Sequence, residues 1–111
     1  MTNQSHIVAE LSMSPMDKGV DLGPHVARVL DIIDSSGVDY ELHAMGTVLE
    51  GSWSEVMDLI EQCHTALEED CSRISTYIKI DYHAGEENQI SGKVKSVEDN
   101  LGRQLNTGRS R

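Results

Sequence analysis

An α+β fold, with helices on one face of an antiparallel sheet, is predicted by three features of this 111-residue chain. Three segments alternate apolar and polar residues, the two-residue period of strands with one dry face. Other segments carry apolar residues at three- and four-residue steps, the signature of helices packed along one stripe. Along the chain the elements run strand, helix, strand, strand, helix, strand, helix, which narrows the possible topologies sharply.

Residues 1–5 are polar and read as a frayed terminus. From His6 to Ser14 the chain alternates, with Ile7, Ala9, Leu11 and Met13 on one side and His6, Val8, Glu10, Ser12 and Ser14 on the other. Pro15 to Gly23 reads as a loop. A helix is expected to begin between Asp21 and Pro24, since Asp can cap and Pro suits a first turn. Val26, Val29, Leu30 and Ile33 form its stripe, and Gly37 is placed to end it in a left-handed conformation.

Val38 to Ala44 alternates again, and Thr47 to Glu50 returns as a short strand after a bend marked by Gly46. Ser52 and Glu55 have the spacing of a capping box. Val56, Leu59, Ile60, Cys63 and Leu67 then mark a strong second helix. Arg73 to Tyr82 is the clearest strand, with Ile74, Thr76, Ile78, Ile80 and Tyr82 on one face. After a polar loop, a third helix is expected from Ile90 or Ser91, striped by Val94, Val97, Leu101 and Leu105. The first six elements follow the ferredoxin-like β-α-β-β-α-β order, a four-stranded antiparallel sheet with two helices on one face, here extended by a C-terminal helix. One domain over 1–111 is expected, with an ordered core at about 6–105 and a polar tail at 106–111.

Composition limits the function. A net charge of −10 argues against nucleic acid and anionic membrane as partners and is compatible with a cationic small ligand. Cys63 and Cys71 are not in a Cys-x-x-Cys spacing, and no signal-like or membrane-length apolar segment occurs, so a reducing cytoplasm is the expected setting. His6, His25, His43, His64 and His83 show no metal-ligand spacing, and neither a metal nor a catalytic group is expected. No glycine-rich phosphate loop is present.

The segment from Tyr40 to Gly51 is the best candidate for a ligand corner. Thr47 offers a hydroxyl and Glu50 a carboxylate near flexible glycine backbone, although Glu50 serves equally well as a cap for a following helix. Glu10 and Lys79, on strands expected to be neighbours, read as a cross-strand pair more readily than as a catalytic one. The second face of the sheet, with Val8, Glu10, Ser12, Tyr77, Lys79 and Asp81, is mixed in polarity, and a homo-oligomer, dimer or tetramer, is expected to cover it.

The run Val8-Ala9-Glu10-Leu11-Ser12, then Pro15, then Tyr40-Glu41-Leu42 leading into Met45-Gly46-Thr47-Val48-Leu49-Glu50-Gly51, with His64, Arg73 and Ile78-Lys79-Ile80-Asp81, resembles the small thiamine-binding protein family over about residues 7–101. The resemblance implies a short ferredoxin-like chain that assembles into dimers and tetramers. It implies binding of thiamine or its hydroxymethylpyrimidine moiety without chemistry on it, for salvage, storage or delivery. Members often carry an arginine shortly after the last strand, whereas Tyr82 and His83 follow here, which favours the unphosphorylated vitamin. For such a ligand, Glu50 or Glu10 would accept from the amine or balance the thiazolium, Thr47 and Ser12 would offer hydroxyls, Met45 an apolar wall, and Tyr40 a stacking ring. Thiamine enters as ligand, with no cofactor expected. A cofactor-free enzyme on the open sheet face, or a purely structural or regulatory oligomer, are the competing readings.

Overall fold

The computed structural model describes residues 3–107. The elements are β1 (His6–Pro15), α1 (Gly23–Ser35), β2 (Asp39–His43), β3 (Gly46–Ser52), α2 (Trp53–Glu68), β4 (Ile74–Tyr82) and α3 (Gln89–Leu101). The strands form one antiparallel sheet in the order β2-β3-β1-β4, the ferredoxin-like arrangement, with β1 between β3 and β4.

Register follows from the alternation. Ile7, Ala9 and Leu11 stand opposite Gly51, Leu49 and Thr47 on one side and Tyr82, Ile80 and Ile78 on the other. These residues share the face covered by α1 and α2. The core is aliphatic: Ile7, Ala9, Leu11 and Met13 pack against Val29 and Ile33 of α1 and the full stripe Val56, Leu59, Ile60, Cys63 and Leu67 of α2. The second helix begins as expected, with Ser52 accepting from the Glu55 amide and the Glu55 carboxylate accepting from the Ser52 amide.

The structure departs from the sequence expectations at three places. Residues 3–5 are fastened rather than frayed: the Trp53 amide donates to the Ser5 carbonyl at 2.7 Å, and the Ser54 amide and hydroxyl donate to the Asn3 carbonyl. The first turn of a helix has amides without intrahelical partners, and the N-terminal segment satisfies two of them. β1 extends through Pro15, which pairs with Ile74 where β3 no longer accompanies it, so the missing proline N–H costs no ladder bond there. The third helix ends at Leu101, because Gly102 adopts φ +74°; Leu105 lies beyond it and donates its amide to the Glu98 carboxylate. Of the polar tail expected at 106–111, residues 108–111 lie outside the described residues, as do residues 1 and 2.

The opposite sheet face is largely open. α3 crosses to that side and buries Ile90, while Val97 and Leu101 of its stripe remain half-exposed. The radius of gyration is 15.3 Å, against about 13 Å for a compact chain of this length. No helix among the described residues is long and apolar enough to cross a membrane.

Candidate functional site

The β2–β3 hairpin turns through Ala44 and Met45 and brings Gly46 against β1. A Cβ on Gly46 would lie 2.8 Å from the Leu11 carbonyl oxygen, and its φ is +156°, so glycine is required for this approach. The β1–β3 ladder ends at Leu11 opposite Thr47, while β1 runs on to Pro15 paired with β4 alone. From Ser12 onward, the edge that β1 turns toward the hairpin therefore lacks a strand partner. α1 closes the far side with Val26, Val29 and Leu30.

These elements enclose a crevice of about 170 Å³. Its walls are mostly apolar, with main chain from Ser12 to Ser14, the Thr47 side chain and His43 as the polar groups. Thr47 is only 4% exposed. Met45 stands at the mouth, 84% exposed, and Leu42 is half-exposed beside it. Apolar walls with a few oriented polar groups are the general pattern of small-molecule sites. A larger open hollow of about 1200 Å³ runs along α3 and its flanking residues, but one element and its own flanks supply all its walls. A ligand there would be held from one side.

Of the residues singled out in the sequence, the structure brings Ser12, Met45 and Thr47 to the crevice and leaves Glu10, Tyr40 and Glu50 outside it. Thr47 and Glu50 do not share a corner. Thr47 faces the helices with Leu49, while Glu50 lies opposite Val8 on the other face. Tyr40 is on the helix-covered side of the edge strand, where its hydroxyl donates to Asp34 Oδ1 at 2.6 Å; that acceptor raises the phenol pKa. Glu10 is directly opposite Lys79 on the open face, as the register expectation required, and Ser12 is opposite Tyr77.

Glu50 has a different task. Its carboxylate accepts from the amides of Gln89 at 2.6 Å and Ile90 at 2.9 Å, the first two residues of α3, and lies 2.7 Å from His6 Nε2. Asn88 precedes α3 with φ 55° and makes no side-chain cap of its own. A carboxylate from β3 thus caps a helix distant in sequence and sits at its positive end. Burial opposes ionisation and is the largest influence on Glu50, but the two amides and His6 together outweigh it and hold the carboxyl below its ordinary value. Sequence reading had allowed Glu50 a capping role; the helix it caps is the third.

Fold and crevice together define a small ferredoxin-like module with a single-ring-sized cleft at one sheet edge. The family described as thiamine-binding protein matches residues 9–98, and the chain belongs to that family. A UPF0045 protein of Methanocaldococcus jannaschii is 32% identical over 91 residues, covering 82% of this chain and 91% of the relative. A UPF0045 protein of Mycobacterium tuberculosis is 31% identical over 93 residues, covering 83% and 91%. Among solved structures, a hypothetical protein from M. jannaschii aligns with a TM-score of 0.78 at 31% identity, covering 85% of this chain and 97% of that one. A Thermotoga maritima protein, described as a candidate for thiamine biosynthesis or salvage, aligns with a TM-score of 0.74 at 27% identity, covering 83% and 98%.

Proposed function

We propose that this protein binds the hydroxymethylpyrimidine end of thiamine, as the free precursor or within the vitamin, and releases it unchanged in salvage, storage or delivery in the cytoplasm. The observation that carries the reading is the crevice itself: an unpaired strand edge beside the nearly buried Thr47, inside a chain of the thiamine-binding family. An aminopyrimidine presents a donor and an acceptor side by side, which suits the donor-and-acceptor edge of an extended strand. Ligand sites commonly enclose roughly 300–1,000 Å³. At about 170 Å³ the crevice has room for one ring of the two, so the thiazolium would remain at the mouth, beside Met45.

His43 is the one titratable side chain in the crevice lining, and Glu50 is occupied by α3, which supports binding over catalysis. No carboxylate lines the crevice, so neutral pyrimidine contacts support recognition better than attraction to the thiazolium charge does. The reading includes assembly into a homo-oligomer, supported by the open sheet face and the half-exposed stripe of α3. Calorimetric titration with hydroxymethylpyrimidine, thiamine and thiamine phosphate tests the proposal. Comparable binding of the first two and weaker binding of the phosphate are expected. Absence of binding by both hydroxymethylpyrimidine and thiamine would overturn it.

A further inference from the structure

A second constellation lies away from the crevice, where the start of α1 meets the segment between α2 and β4. His25 is in the first turn of α1, and Asp70 and Cys71 follow the end of α2. One ligating atom from each of these three side chains lies within 4.8 Å of the other two. We propose that His25, Asp70 and Cys71 bind a divalent transition-metal ion of the zinc type.

The geometry and chemistry fit such an ion. Around tetrahedral zinc, bonds of about 2.0–2.3 Å place ligating atoms roughly 3.3–3.8 Å apart; Cys71 Sγ and Asp70 Oδ1 are already 3.6 Å apart, and the three atoms all lie within 4.8 Å of one another. A thiolate, an imidazole and a carboxylate select zinc, cobalt or copper over magnesium and calcium, which prefer sets made wholly of oxygen. Cys71 is buried, His25 is half-buried and Asp70 is exposed, giving a soft anchor at the base and an approach from solvent. Three protein ligands leave a fourth position for water.

The surroundings hold these groups in place. Arg28 Nη2 donates to Asp70 Oδ1 at 2.8 Å, the same oxygen that accepts from the Cys71 thiol at 3.6 Å, which leaves Asp70 Oδ2 as the carboxylate oxygen not engaged by either. Asp17 accepts from the Ser72 amide at 2.9 Å and the Ser72 hydroxyl at 2.8 Å, fixing the backbone immediately after Cys71. The Cys71 amide donates to the Leu67 carbonyl at 2.9 Å. The Arg28 and Lys18 charges oppose a cation and are matched by Asp70 and Asp17, so the negative charge that favours the ion comes from the Cys71 thiol when it loses its proton on binding, in a chain whose net charge is −10. On binding, the thiol proton passes to solvent. Linear spacing concealed the set, because His25 is remote from Asp70 and Cys71 in sequence and the helices bring them together.

The test uses the full-length chain, treated with chelator, kept reduced and titrated with cobalt chloride. One equivalent should produce the thiolate-to-cobalt charge-transfer band in the near ultraviolet and the intense visible bands of tetrahedral cobalt. Zinc chloride should bleach both and raise the melting temperature. Cys71→Ser should abolish the charge-transfer band with the circular dichroism unchanged, since Cys63 is sealed in the core. His25→Gln, at a half-buried surface position, should weaken cobalt binding by at least about tenfold, the loss that even an outer partner can cause. Absence of a charge-transfer band in the wild type, or its persistence in Cys71→Ser, overturns the site. If Cys71→Ser does not fold, an unchanged cobalt titration in His25→Gln overturns it alone.

Discussion

At the scale of single residues, the crevice depends on Thr47 and Gly46 in different ways. Thr47 is 4% exposed and packed among aliphatic side chains, so Thr47→Val keeps its shape and removes only the hydroxyl. Melting temperature should change little, since the replacement is of the same shape and volume. Affinity for hydroxymethylpyrimidine, measured by calorimetry, should fall about tenfold, the value of one hydrogen bond of roughly 1.4 kcal/mol; an unchanged affinity removes Thr47 from the site. Gly46→Ala should act on stability instead, because its Cβ would meet the Leu11 carbonyl oxygen at 2.8 Å. A loss of about 1–3 kcal/mol in urea unfolding is expected, with the hairpin displaced from β1. The importance of this hairpin was legible in the sequence, in Met45, Gly46 and Thr47 together. The pairing of Thr47 with Glu50 failed for a simple reason: residues three apart on a strand point to opposite faces. Applying the same parity that organised β1 would have sent Glu50 to the side of Val8 and Glu10.

At the scale of elements, α3 is held by a contact that sequence periodicity does not encode. Its residues stripe one side well, yet the carboxylate that starts it comes from β3, and only the sheet register brings Glu50 beside Gln89 and Ile90. By contrast, the stripe of α2 and its Ser52–Glu55 cap are local, and both were readable from spacing. The Glu50 contact predicts a pH dependence. Its folded pKa is lowered, so the unfolded chain binds the proton more readily, and the contribution of this group is complete above its unfolded value of about 4.3. As pH falls through the lower folded value, that contribution is lost; raising the pH above neutrality leaves it intact. In urea unfolding from about pH 7 to pH 3, Glu50→Gln should be less stable than wild type at neutrality, by about 1–3 kcal/mol, and should show a shallower decline toward acid. Hydrogen exchange should locate the change in α3, whose amides at Gln89 and Ile90 lose an ionised acceptor. Parallel pH profiles for the two proteins would contradict this role.

At the scale of the whole molecule, the sheet is dry on one side only, and α3 presents an apolar stripe that no described element covers. Tyr77 is 59% exposed on the open face, Val97 is 52% exposed on α3, and Leu101 is similar. Covering these surfaces with a second copy would bury the apolar groups and give β4 and α3 the packing that one chain leaves incomplete. Charge works against it: each chain carries −10, so two copies repel, and association must be driven by apolar area. This balance fixes the expected salt response. Added salt screens the repulsion, with a Debye length near 10 Å at about 0.1 M, and so should tighten the assembly; an assembly held by ion pairs would loosen. Sedimentation equilibrium at micromolar concentration should therefore return a multiple of the 12.3 kDa chain mass, with dissociation falling as salt rises. Tyr77→Asp and Val97→Asp each add an anion to an exposed apolar position without touching the buried core, so both should shift the equilibrium toward monomer while retaining the wild-type circular dichroism. A wild-type monomer at all salt concentrations would show instead that the open face is stable in water unaided, because its mixture of Glu10, Lys79 and Asp81 with the apolar groups already suffices to hydrate it.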